Sequence, residues 1–130
     1  MSRILFSEYP GHAIEISKQY QDQSNIVVAV GGDGTLNEVI QGQVNSKATV
    51  GVFPCGSGND NAASFNITIE NAIENLEYGI VKKIPLACVN DKVFIGVAGC
   101  GFDTEVNNIA NVLSVIQGIA EQTNLLALNA

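Results

Sequence analysis

Gly31, Gly32, Asp33 and Gly34, followed by Thr35 and Asn37, are residue types that together can hold a phosphate. Glycines let the backbone approach an anion closely, and the hydroxyl and amide side chains can donate hydrogen bonds to its oxygens. Asp33 stands apart in this group, because a carboxylate repels a bare phosphate. Its presence makes sense if a divalent cation, most simply Mg²⁺, or a metal-bound water lies between the two. A second loop, Pro54-Cys55-Gly56-Ser57-Gly58, is followed by Asn59 and by Asp60, which can share the cation. One glycine loop is equally well a tight strand-to-helix turn with no ligand. Two in succession, both carrying acidic residues, favour a polyphosphate site.

Neither loop has a better-known fingerprint. Gly56 is followed by Ser57 rather than the lysine of a P-loop, and no G-x-G-x-x-G occurs. P-loop enzymes and dehydrogenases of the usual kind are therefore disfavoured.

The elements that must position these loops are legible in the hydrophobic pattern. Ile26–Val30 is an apolar, β-branched run that ends in the first glycine loop, the profile of a strand buried on both faces. Leu36, Val39, Ile40 and Val44 then recur at helical spacing. Thr49–Phe53 predicts a second buried strand ending in the second loop, with Asn59 or Asp60 as N-cap of the helix behind it. Upstream, Ile4–Phe6 predicts a short strand, Tyr9-Pro10-Gly11 a turn, and Ala13, Ile16 and Tyr20 a helix. Downstream, Ile69, Ala72, Ile73 and Leu76 mark a helix closed by Gly79, and the runs 84–89 and 93–98 flank Asn90-Asp91 as a hairpin. Alternating strands and helices indicate an α/β sheet, which binds ligands at the carboxyl ends of its strands. From Val106 the spacing changes to the a and d rhythm of a heptad, which predicts a long helix able to self-associate.

Composition excludes several classes. The 130-residue chain is 46 % hydrophobic and 15 % charged, a folded globular balance with room for about one domain. A net charge of −7 with six Lys and Arg offers no basic stripe for nucleic acid. Cys55, Cys88 and Cys100 are odd in number and widely spaced, and His12 is the lone histidine, which disfavours a disulfide scaffold or a zinc site. The cysteines read as small buried hydrophobes of a reducing compartment. No signal peptide or membrane span is evident, so the expected location is the cytoplasm, with peripheral membrane contact allowed.

Gly31-Gly32-Asp33-Gly34-Thr35-Leu36-Asn37-Glu38 resembles the GGDGTxNE signature of diacylglycerol kinases and their bacterial lipid-kinase relatives. Pro54 to Asp60 resembles the PxGTGND loop of the same family, with Ser57 for the usual Thr, and Gly11-His12-Ala13 resembles its GHA or GDA element. Phe94 to Val106 resembles the segment FxNxxGxGFDAxV, so the likeness runs from about Leu5 to Val106. NAD kinases share the GGDG loop and form the alternative enzyme class, but the other elements are more typical of lipid kinases.

The resemblance implies a three-layer α/β domain with a mostly parallel sheet, of the NAD kinase/diacylglycerol kinase type, holding ATP and Mg²⁺ for γ-phosphoryl transfer to a lipid hydroxyl at the membrane surface. It implies nucleotide contacts from Ser7, Gly31, Gly32, Asp33, Gly34, Thr35, Asn37, Glu38, Gly56, Ser57, Gly58 and Asn59. Asp33 and Asp60 are the candidate cation ligands, directly or through water. By the same resemblance, the family's opening strand with its NPxSG loop would precede Met1, and the β-rich carboxyl-terminal domain expected to supply the lipid surface and the general base would follow Ala130, so both are expected to fall outside these 130 residues. Pro85 stands where the family commonly has Asp. Val115 to Ala130 is similar instead to the hairpin tip of chemoreceptor signalling domains. The expected organisation is thus a truncated kinase-like domain over 1–107 and a helical segment over 108–130. A non-catalytic fusion fragment whose tail mediates coiled-coil contacts is the alternative to an enzyme.

Overall fold

A computed structural model of the chain describes residues 1–96. In chain order these form α1 (His12–Gln19), β1 (Ile26–Gly31), α2 (Asp33–Gly42), β2 (Thr49–Pro54), α3 (Asp60–Ser64), α4 (Ala72–Tyr78), β3 (Ala87–Val89) and β4 (Lys92–Phe94). The predicted long helix, the chemoreceptor-like stretch, Cys100 and most of the segment 94–106 lie outside the described residues.

The two β-branched runs form a parallel pair in the register Ile26↔Thr49 through Gly31↔Pro54, joined by α2 as the crossover that a parallel connection requires. Side chains alternate between faces along each strand, so Val52 and Gly51 point to opposite sides. Val52 and Ala29 join Leu36, Val39 and Ile40 of α2 in the core, together with Ala13 of α1 and Ala62 of α3. On the other face a Cβ at Gly51 would lie 2.5 Å from Leu76 Cδ2, which is how closely α4 packs on β2. Helices on both faces make the expected three layers.

α1 lies on α2 at a point where neither backbone leaves room for a side chain. A Cβ at Gly42 would fall 2.6 Å from the Ile14 carbonyl oxygen and 2.8 Å from the Lys18 nitrogen. Polar groups seal this contact. The Ser17 hydroxyl donates to the Val39 carbonyl at 2.8 Å, Gln43 Nε2 donates to Ser17, and Gln21 Nε2 donates to the Gly42 carbonyl at 2.7 Å. The last of these satisfies a carbonyl that the end of α2 leaves without an intrahelical partner.

Several expectations change. Ile4–Phe6 is not a strand: it is exposed and pairs with nothing among the described residues, and an apolar run becomes a strand only where a ladder partner exists. β1 is covered on the α2 face alone, since α4 packs on β2. Ile26 is accordingly 50 % and Val30 62 % exposed, rather than buried on both faces. α4 begins at Ala72, because Thr68 and Asn71 close a local turn in which Asn71 Oδ1 accepts from Thr68 N at 2.8 Å. Gly79 closes α4 as expected, in an extended conformation. The hairpin turns at Asn90 (φ 48) and Asp91 (φ 63), the paired left-handed residues of a two-residue loop, but β3 starts only at Ala87, beyond Pro85. Cys55 and Cys88 are exposed, not buried.

Candidate functional site

β1 and β2 end side by side, so their parallel register alone brings the two glycine loops together. The Cys55 nitrogen extends the ladder by donating to the Gly31 carbonyl at 3.1 Å. Beyond it the loops touch backbone to backbone. A Cβ at Gly32 would sit 2.6 Å from the Gly58 carbonyl oxygen, and a Cβ at Gly56 would collide with the nitrogen and Cα of Gly32. These two glycines are therefore demanded by loop packing.

Gly34 differs. A Cβ there would meet nothing within 4 Å, and no left-handed φ is required of it. It lies in the first turn of α2, where backbone N–H groups have no intrahelical acceptor. The Asp33 nitrogen donates to Gly58 at 2.8 Å and the Leu36 nitrogen to Gly32 at 3.0 Å, while the amides of Gly34 and Thr35 have no partner among the described residues. Two unpaired amides beside open space at a helix N-terminus make a cradle of the kind that can take an anion. Thr35 is drawn against Gly31, whose Cβ position would be 2.5 Å from Thr35 Oγ1.

The acidic and amide side chains of α2 reach outward to three other segments. Asp33 Oδ2 accepts from the Asp60 nitrogen at 2.9 Å, and Oδ1 accepts from the Asn61 nitrogen at 3.1 Å and Asn61 Nδ2 at 2.9 Å. Glu38 accepts from Gly11 N at 2.9 Å and Ala13 N at 3.2 Å, capping α1, whose own N-cap Gly11 has no side chain to offer. Asn37 Oδ1 accepts from the Ile95 nitrogen at 2.8 Å, just past β4. Each of the elements Gly11-His12-Ala13, Gly56–Asp60 and the start of the segment after the hairpin is thus fixed to α2. Spacing within the sequence carried no sign of these ties, apart from the missing cap at Gly11.

Asn59 occupies the N-cap position of α3, as expected, but its side chain makes no capping bond. Its side chain folds back on Gly56, accepting from the nitrogen at 3.2 Å and donating to the carbonyl at 2.7 Å, so Asp33 supplies the cap from across the gap. Ser57, Gly58 and Asp60 are exposed at the rim. Ser7 is exposed in the irregular segment before α1, with no hydrogen bond to either loop among the described residues. A groove of about 450 Å³ opens beside the second loop, between Pro54, Cys55, Asn59, Ala63, Ile67 and Ile69. No group of three or more potential metal ligands occurs among the described residues. No helix there is long and apolar enough to cross a membrane.

Partial burial works to raise the pKa of Asp33, but the hydrogen bonds from the Asn61 and Asp60 amides and the Asn61 side chain outweigh it and hold the carboxyl below its usual value. A carboxyl with a depressed folded-state pKa contributes stability above its unfolded-state pKa, which is lost as pH falls through the folded value. The melting-temperature gap between the wild type and Asp33→Asn should therefore shrink below about pH 4, near the ordinary aspartate pKa. A gap that is constant from neutral pH to well below that value would contradict the ionised cap.

Residues 2–89 match the family described as the diacylglycerol kinase catalytic domain. A diacylglycerol kinase of Bacillus subtilis (strain 168) is 37 % identical over 87 residues, covering 63 % of this chain and 29 % of the relative. Diacylglycerol kinases of Staphylococcus saprophyticus and Staphylococcus aureus (strain JH9) are 30 % and 31 % identical, each covering 72 % of this chain and 32 % and 31 % of the relative. The chain thus spans about a third of the length of these relatives. Two solved structures of Bacillus anthracis str. Sterne proteins assigned as diacylglycerol kinases share the fold, with TM-scores of 0.68 and 0.69 at 22 % and 23 % identity. They cover 75 % and 79 % of this chain and 38 % of each structure. Since the family match takes in both glycine loops and the helix between them, the chain belongs to the diacylglycerol kinase catalytic domain family.

Proposed function

We propose that the two loops bind the phosphates of ATP with Mg²⁺, and that the chain is the nucleotide-binding part of a kinase that phosphorylates diacylglycerol or a related lipid hydroxyl. The observation that carries this reading is the open face of Gly34 beside the unpaired amides of Gly34 and Thr35. A packed turn with no ligand has no use for a glycine at a position where an alanine would fit. Membership of the family supports the phosphoryl-transfer chemistry and the lipid acceptor.

In this reading Gly34 leaves room for the phosphates, Gly31 and Gly32 bring the backbone to them while packing against Thr35 and Gly58, and Thr35 and Ser57 offer hydroxyl donors. Asp33, Asn37, Glu38, Gly56, Gly58 and Asn59 hold the loops and helices around them, and Ser7 faces the nucleotide from the segment before α1. Mg²⁺ offsets the phosphate charge that this acidic chain does not neutralise. Asp60 is exposed and able to meet it, whereas Asp33, with both oxygens engaged, meets it through water. The protein's contribution to transfer is positioning and electrostatic stabilisation.

The test is Gly34→Ala. Replacing a helical glycine should leave the fold intact and add about 0.5–1 kcal/mol of stability. A methyl in the cradle should weaken Mg²⁺-ATP binding by about tenfold or more, the equivalent of one lost charge-assisted hydrogen bond, by calorimetry. Unchanged affinity in a folded variant would remove phosphate from this loop.

A further inference from the structure

We propose that Asp33 is a positioning residue whose carboxylate staples the second glycine loop to the first, setting the distance between the two backbones that face the nucleotide. Its bearing on nucleotide affinity rests on the nucleotide-site reading; the staple itself does not.

Three hydrogen bonds reach this carboxylate, one on Oδ2 from Asp60 N and two on Oδ1 from Asn61 N and Nδ2. The Asp33 nitrogen adds a fourth tie, to the Gly58 carbonyl. α3 has five residues and no cap from its own N-cap side chain, and a helix of that length does not hold itself together. Asn59 closes only its own turn. Apart from Cys55 N on the Gly31 carbonyl, the described hydrogen bonds between the loops all run through Asp33. Both lone pairs of Asp33 Oδ1 are taken, so a cation bound directly to Asp33 is confined to the remaining lone pair of Oδ2, beside the Asp60 amide. The Asp60 carboxylate beside it is exposed and is the more open site for a cation.

The experiment compares wild type, Asp33→Asn and Asn61→Ala in the full chain. It reads amide hydrogen exchange at residues 58–61 and ATP affinity in EDTA and in excess Mg²⁺. Asn61→Ala keeps the Asp33 charge and removes one staple bond. For Asp33→Asn the staple predicts faster exchange at Asp60 and Asn61, and ATP affinity lowered by about tenfold both with and without Mg²⁺. Asn61→Ala should shift both readouts less and in the same direction, and it decides the matter if Asp33→Asn does not fold. A loss confined to Mg²⁺ conditions, with amide protection intact, would make Asp33 a metal ligand and overturn the proposal. If wild type binds ATP under neither condition, the nucleotide reading fails by itself. Exchange then decides the staple: faster exchange at Asp60 and Asn61 in Asp33→Asn supports it, and unchanged exchange overturns it.

Discussion

Gly56→Ala is expected to destabilise the chain by on the order of 3 kcal/mol or more, read as a lower urea midpoint with an unchanged slope. The added methyl would collide with the nitrogen and Cα of Gly32, both of them backbone atoms at the end of β1. A flexible side chain could rotate away, but here β1 and β2 must separate at the point where their ladder ends, Gly31 opposite Pro54. The same displacement would strain the Cys55 to Gly31 bond and pull α3 from Asp33. Against a typical stability of about 5–15 kcal/mol, that is a large fraction. It follows that lost ATP binding in a Gly32 or Gly56 variant reports on the fold, whereas Gly34→Ala isolates the cradle. A Gly56→Ala midpoint equal to that of wild type would show that the loops do not pack as closely as the structure has them.

The βαβ unit and both loops were legible because buried β-branched runs and i, i+3, i+4 spacing are local signals that tertiary structure here reinforces. Asn90-Asp91 announced its turn because both residues tolerate the left-handed region. Failures came where the outcome depends on a neighbour. Ile4–Phe6 and the exposed side chains of β1 carry the composition of buried strands, and composition does not say whether a partner is present. Asp33, Asn37 and Glu38 point the same lesson at the site. In the sequence Asn37 reads as a donor to a phosphate and Asp33 as a carboxylate behind a cation, and nothing there shows that their oxygens and those of Glu38 also accept from residues between 25 and 58 positions away. A hydrogen-bond acceptor suits a backbone amide as well as it suits a cation's water shell, and only the fold selects between them.

Gly42→Ala carries the second large effect, with a sign opposite to the ordinary propensity rule. A glycine-to-alanine change in a helix usually stabilises by up to about 1 kcal/mol, as expected at Gly34. At Gly42 the new methyl would lie 2.6 Å from the Ile14 carbonyl oxygen, 2.6 Å from Ser17 Cβ and 2.8 Å from Lys18 N. Two of those three atoms belong to the α1 backbone, so the helix must move as a body. Overpacking of this kind costs about 1–3 kcal/mol, and the movement also opens the Ser17, Gln21 and Gln43 bonds that seal the contact. For a domain of this size each kcal/mol lowers the melting temperature by roughly 4–8 °C. The displacement should be felt at the other end of α1, where Glu38 grips Gly11 and Ala13, so amide exchange at those two residues should quicken. Melting unchanged or raised, with both amides still protected, would mean that α1 is held by the Glu38 cap and not by its packing against Gly42.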